Sequence, residues 1–262
     1  MSSSLPARTA AVTARVAKST LFTTLALAAI AVGLFAGPAA TANAADDSCA
    51  AVEVVFARGT FEGPGVGATG QAFVDALNAR LPGKTVDVYG VNYPASLNFG
   101  QAVDGVADAA NRVQAIATQC PSTKIVLGGY SQGAAVAAYT TSSTVPAGYA
   151  LPASISGPMP ASVASHVSAV VLFGTPDSWF LNLADRSAPP IAIGDLYAGK
   201  TLQLCATGDP ICFPGGLDRS AHSSYKSNGM ADQAADFVVG RLGLPAPAAT
   251  VVQAAAEVVP GN

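Results

Sequence analysis

The sequence predicts an α/β domain, with a central, mostly parallel five-stranded sheet flanked by helices. Two observations carry this. Short apolar runs alternate with segments of helical periodicity, and such alternation closes into a parallel sheet covered on both faces. Half of the 262 residues are hydrophobic and only 11% are charged. The chain can therefore fill one sizeable core, and its composition excludes a disordered protein.

The elements follow in order. Ala51–Ala57, "AVEVVFA", is an apolar run of strand length. A Gly-rich loop leads to a helix over Ala68–Leu81, and Thr85–Val91, "TVDVYGV", is a second strand. From Gly100 to Cys120, apolar Val103, Val106, Ala107, Ala110, Val113 and Ile116 recur at three- and four-residue spacing, the signature of an amphipathic helix. Lys124–Tyr130 is a third strand and Gln132 to about Thr141 an Ala-rich helix. Val167–Phe173 and Thr201–Ala206 are the fourth and fifth strands, and a last helix starts at His222 or Ser223 and runs to about Arg241. No internal repeat is visible.

The ends differ from this body. Arg8, Arg15 and Lys18 precede the apolar run Leu21–Ala36, Gly37-Pro38 breaks it, and Ala42-Asn43-Ala44 is an A-x-A cleavage site. Residues 1–44 thus read as an export signal, and the chain is expected to be secreted after cleavage near Ala44. A permanent anchor needs about 20 apolar residues, and the break comes early. The domain is expected over residues 45–243. The Ala/Pro/Val-rich tail, residues 244–262, is expected to be loosely attached.

Cleavage removes three bases and no acid from 13 basic and 16 acidic residues, leaving a net charge of −6. With no basic cluster, nucleic acid is excluded as a partner. Four cysteines, Cys49, Cys120, Cys205 and Cys212, lie in the exported part. An even count there predicts two disulfides, with three possible pairings. Joining Cys205 to Cys212 and Cys49 to Cys120 is the simplest. A zinc site is the weaker alternative, since there is no C-x-x-C and only two histidines, His166 and His222.

Chemistry is concentrated at Gly129-Tyr130-Ser131-Gln132-Gly133, a G-x-S-x-G between an apolar strand and an Ala-rich helix. That is where a nucleophile elbow must sit, presenting Ser131 above the sheet with a helix N-terminus behind it. The plainer role for Ser131 is that of a helix-capping serine. A serine nucleophile needs a base. The chain order for such sites is Ser, then acid, then His. No Asp or Glu lies between Ser131 and His166, so His222 is the base and His166 is left without a role. The acid is then Asp177, Asp185, Asp195, Asp209 or Asp218. Asp209 fits best, since a strand runs into its turn, and Asp177 is second. Cys205 and Cys212 bracket Asp209; a bridge around so short a loop removes little chain entropy and serves better to fix a carboxylate. As a plain turn former, "TGDP" would also explain that residue.

These stretches resemble the cutinases, secreted serine esterases. The resemblance rests on "GGYSQGA", "CATGDPIC" over residues 205–212, "HSSY" from His222, and "FARGT" over Phe56–Thr60. It spans Cys49 to about Leu242. It implies an α/β-hydrolase fold without a large lid, disulfides Cys49–Cys120 and Cys205–Cys212, and a triad of Ser131, Asp209 and His222. It also implies an oxyanion hole from the N–H groups of Gln132 and Thr60, with the Thr60 hydroxyl helping where the family often has serine. Ala221 stands where many relatives have proline. The implied partner is an ester substrate: a polyester, a lipid or an acylated polysaccharide. Acetylxylan esterase and lipase or phospholipase activity are alternatives on the same fold, and a non-catalytic binding protein is a remote one. No metal or organic cofactor is needed, and a monomer is expected. Activity should fall on acidification, because only neutral imidazole can act as base.

Phe213, Pro214 and Leu217, between acid and histidine, are candidates for the edge of an acyl pocket, against ordinary loop packing. Gly65-Val66-Gly67-Ala68-Thr69-Gly70 matches a dinucleotide fingerprint, with Asp87 beyond it. "RGTFEGP" separates it from the strand, which opposes that use.

Overall fold

The computed structural model describes residues 49–146 and 150–244. The expected export signal, and the tail beyond Leu244, lie outside the described residues. The sheet has five strands, β1 (Val52–Ala57), β2 (Val86–Gly90), β3 (Lys124–Tyr130), β4 (Val167–Phe173) and β5 (Thr201–Leu204), in the order β2-β1-β3-β4-β5. All four pairings are parallel. Every residue of β1 is buried because helices cover both faces.

The two-residue strand period sorts the core into two layers. Val52, Val54 and Phe56 of β1 face α1 (Gly67–Arg80) and α8 (Met230–Leu242). Val55 and Ala57 face α2 (Ala102–Gln119) and α3 (Gln132–Thr140). Phe56, Phe73 and Phe173 meet with centroids 6.1–6.3 Å apart, filling the first layer. One acid interrupts β1: buried Glu53 pairs with Arg112 of α2 at 2.5 Å. Burial raises its carboxyl above the usual range, against the pull of that guanidinium. The cysteines pair as Cys49–Cys120 and Cys205–Cys212. Among the described residues no helix is long and apolar enough to cross a membrane.

Two expectations change. The last helix does not run on from His222. A single turn, α7 (Arg219–His222), starts under the Asp218 side chain, which accepts from Ser220 N–H at 2.8 Å. The chain then turns, and α8 starts only after Gly229, whose φ of 85° a helix does not continue through. β5 stops at Leu204, where the Cys205–Cys212 loop begins. Three short helices that the periodicity did not mark lie between α3 and β5: α4 (Ala161–Ala164), α5 (Ser178–Ala184) and α6 (Asp195–Ala198).

Candidate active site

The site lies at the carboxyl ends of the parallel strands, where open α/β sheets bind their ligands. β3 passes through Gly129 and turns at Ser131 into α3. A Cβ on Gly129 would stand 2.0 Å from the Gly133 carbonyl oxygen, and one on Gly133 would stand 2.0 Å from that of Ala57. The two bare backbones let strand and helix meet at a sharp angle. Ser131 itself has φ 57° and ψ −120°, rare for a residue with a side chain. Such a conformation costs about 1–3 kcal/mol and persists only where the surroundings enforce it. Here Ser131 N–H donates to the Phe173 carbonyl at 2.9 Å. Gly133→Ala is expected to destabilise the fold by about 3 kcal/mol, seen as a Tm about 6–12 °C lower by calorimetry. An unchanged Tm would mean the elbow is not held by this contact.

Ser131 Oγ lies 2.9 Å from His222 Nε2, and His222 Nδ1 lies 2.8 Å from Asp209 Oδ2. His222 is placed from behind by Tyr130, whose hydroxyl donates to the His222 carbonyl at 2.6 Å and whose ring centroid is 5.0 Å from the imidazole. Asp209 is wholly buried. Its Oδ1 accepts from Ile211 N–H at 2.8 Å, and its Oδ2 also accepts from the Tyr225 hydroxyl at 2.5 Å. Burial alone would raise this carboxyl, but the hydrogen bonds from His222, Tyr225 and Ile211 outweigh it and hold Asp209 below the usual carboxylate range. An ionised Asp209 puts the imidazole proton on Nδ1 and leaves the Nε2 lone pair facing Ser131.

The rival acids have other work. Asp177 caps α5, accepting from Phe180 N–H at 2.7 Å. Asp218 caps α7, Asp185 accepts from Ser187, and Asp195 lies in the first turn of α6. His166 stands just before β4, where its carbonyl accepts from Ile125 N–H at the start of β3, the far end from Ser131. Ligand atoms of Cys205, Asp209 and Cys212 lie within 4.8 Å of one another, but both sulfurs are consumed in the disulfide and offer no thiolate.

Thr60 and Gln132 meet across the elbow, the Thr60 hydroxyl donating to Gln132 Oε1 at 3.4 Å. Gln132 opens α3, so its N–H has no acceptor within the helix. Its side-chain amide donates to the Ser96 carbonyl at 3.1 Å. The loop bearing Thr60 is pinned at both ends by residues that the motif search passed over. The buried Arg58 guanidinium donates to the carbonyls of Glu62 (2.7 Å), Val91 (3.2 Å) and Tyr93 (2.6 Å). The Glu62 carboxylate accepts from Gly59 N–H and Ala68 N–H, each at 2.7 Å. An arginine and a glutamate flanking Thr60 in so charge-poor a chain were the available signal. Glu62 also settles the glycine-rich decoy. The first turn of α1, where a dinucleotide phosphate would sit, is occupied by the chain's own carboxylate.

A cavity of about 130 Å³ opens beside Ser131, with Thr60 and Gln132 also in its lining. Its walls are mostly apolar, with Val103 and Val106 of α2, Leu151 and Met159 of the chain before α4, and Phe180 and Leu181 of α5. Phe213, Pro214 and Leu217 are not among them, a correction to the pocket expected there. Phe213 is 39% and Leu217 91% exposed, because the loop that turns Asp209 inward points these side chains to solvent.

A parallel sheet carrying serine, acid and histidine in this order, the serine directly after β3 and the acid and histidine in the segment after β5, defines an α/β-hydrolase. The family model for cutinase matches residues 48–242. The chain belongs to the cutinase family. In Mycobacterium tuberculosis it is similar to the "probable carboxylesterase Culp5", 50% identical over 65% of this chain and 95% of that one, and to carboxylesterase Culp1, 44% identical over 80% and 89%. Phospholipase Culp4 of the same organism is 41% identical over 84% and 91%. Among solved structures, a Trichoderma reesei cutinase bound to a phosphonate inhibitor superposes with a TM-score of 0.55 at 35% identity, covering 75% of this chain and 78% of that one.

Proposed function

We propose that this protein is a secreted serine carboxylesterase that cleaves acyl esters of short to medium chain length. The observation that carries this is the hydrogen-bonded line Ser131–His222–Asp209 opening onto an apolar-walled cavity. As Ser131 Oγ bonds to the ester carbonyl carbon, its proton passes to His222 Nε2. The carbonyl oxygen becomes an oxyanion, received by the N–H groups of Gln132 and Thr60 and by the Thr60 hydroxyl, which turns to it from Gln132 Oε1. Each such donor contributes about 10²–10³ in rate. The alcohol leaves with the proton from Nε2, and an acyl-Ser131 remains. Water, deprotonated by the same nitrogen, then releases the acid. Asp209 stabilises the imidazolium at both steps. The machinery is complete within one chain, which supports action as a monomer. Residues 1–44 direct export, and two disulfides suit that destination.

The apolar walls favour an acyl chain over a bare acetyl group, and thus a cutin-type polyester or lipid ester over acetylated xylan. Likeness to phospholipase Culp4 favours phospholipid as the second substrate class. A p-nitrophenyl ester series from acetyl to palmitoyl tests this, together with labelling by an alkyl phosphonate and mapping of the adduct. Turnover peaking between butyrate and octanoate, with the adduct on Ser131, is expected. Activity confined to acetate would transfer the protein to the acetyl esterases. A protein that neither turns over nor labels would be a binding protein on this fold.

A further inference from the structure

Tyr225 follows His222 by three residues and belongs to neither the triad nor the oxyanion hole, yet its hydroxyl is the closest neighbour of the buried acid. It lies 2.5 Å from Asp209 Oδ2, the same oxygen that faces His222 Nδ1. The direction of that bond is fixed. Ala206 N–H donates to the Tyr225 oxygen at 3.0 Å, so the phenol's own proton is free to go to Asp209. The other neighbour, Cys212 Sγ at 3.3 Å, is a disulfide sulfur and only a weak acceptor. We infer that Tyr225 is a positioning residue of the reaction, its hydroxyl holding the Asp209 carboxylate in the orientation that serves His222 and drawing off part of the charge that carboxylate presents to the imidazole. The inference rests on the esterase function proposed above.

The surroundings give this hydroxyl no freedom. Tyr225 is fully buried, and its ring meets Phe173, Tyr130 and His222 edge-on, at centroid distances of 6.0, 5.7 and 6.3 Å. Ile211 N–H holds Oδ1 and Tyr225 holds Oδ2, so the carboxylate plane is set before His222 is counted. Burial first, and then donation to Asp209, push the phenol well above the usual tyrosine range, so it stays a donor throughout the working pH range.

The effect on the base has a definite sign. Two donors share Oδ2, and charge taken by the phenol is not available to stabilise the imidazolium. Removing the hydroxyl should leave more of the carboxylate's charge facing the imidazole and move the acid limb of the pH–rate profile to higher pH. The other titratable groups facing this cluster are few. Tyr130 approaches from β3 and spends its proton on the His222 carbonyl, and Glu62 acts on the cluster only at longer range, through Tyr130. Neither contacts Asp209 Oδ2 in the described residues, so neither replaces the missing donor.

The test is kcat and KM for p-nitrophenyl butyrate from pH 5 to 9, with Tm, for the parent, Tyr225→Phe, and protein carrying 3-fluorotyrosine at position 225. In Tyr225→Phe, kcat should fall about tenfold or more with little change in KM, and the acid limb of kcat/KM should move up by about half a pH unit. The fluorinated phenol has the same shape and is a stronger donor. It should keep kcat near the parent's and move the limb to lower pH, and it decides the matter if the Phe variant fails to fold. A lower Tm with the limb unmoved in both proteins would make Tyr225 merely structural and overturn the inference. So would parent-like kcat and limb in the Phe variant. Either result leaves the esterase function standing, whereas a parent inactive on every ester removes both.

Discussion

Ser131→Ala is expected to reduce kcat for p-nitrophenyl butyrate about 10⁶-fold and to abolish phosphonate labelling, while leaving the fold intact. The size of the loss follows from the covalent route. Without Oγ there is no acyl-enzyme, and His222 can only assist a water that the site was not shaped to hold. The proposed oxyanion donors, the N–H groups of Gln132 and Thr60, remain, so a residual acceleration of about 10³–10⁴ over the reaction in water should persist. The fold should survive because the elbow is held by backbone. Ser131 N–H keeps its bond to the Phe173 carbonyl, and Ala134 N–H and Ala135 N–H keep theirs to the Ser131 carbonyl. Alanine accepts the positive φ at about the cost serine does. Tm should therefore match the parent within about 2 °C. Parent-level hydrolysis by the variant would remove Ser131 from the chemistry, and the capping role that serines often fill would not replace it, since its side chain makes no cap hydrogen bond to α3.

What the sequence disclosed here was local or ordered along the chain. The elbow is five residues whose strand, turn and helix signals adjoin. His222 emerged because the reaction class has a fixed order and only two histidines were on offer, and Asp209 because it follows a strand and lies between Cys205 and Cys212. What it hid is what the tertiary fold brings together. Arg58 meets Tyr93 across 35 residues, and Tyr225 meets Asp209 across 16, with no periodicity to announce either. The cavity walls come from α2, α3, the stretch before α4, and α5, none of which is the segment near His222 that the sequence offered for a pocket. The break between α7 and α8 was missed because the segment after His222 is polar and short. A one-turn helix under an Asp cap carries almost no hydrophobic pattern.

Asp209→Asn tests the acid by exchanging one carboxylate oxygen for an NH₂ group. One carboxylate oxygen accepts from Ile211 N–H, and the other accepts from both His222 and Tyr225. An asparagine has one oxygen and one NH₂ to meet these donors. The Ile211 donor is backbone and cannot turn away, so the amide oxygen goes there and the NH₂ faces His222. The imidazole can relieve that clash by carrying its proton on Nε2 and accepting at Nδ1. The imidazole is then hydrogen-bonded but inert, because Nε2–H points at Ser131 and can no longer take its proton, while the Tyr225 hydroxyl, which loses Oδ2, is left with only Cys212 Sγ to donate to. A loss of about 10⁴ in kcat is expected, with KM little changed. Stability gives a second, independent reading. In the parent Asp209 is held below the usual carboxylate range, so its contribution is fully present above about pH 4 and is lost as the pH falls through the lower native value. Asparagine does not titrate, so urea midpoints for the variant should fall less steeply than the parent's below pH 4. If kcat stays within tenfold of the parent's, Asp209 does not orient the base. If the acid limbs of the two urea series superimpose, its carboxylate is not the buried, hydrogen-bonded anion that the bonds to Ile211, Tyr225 and His222 require.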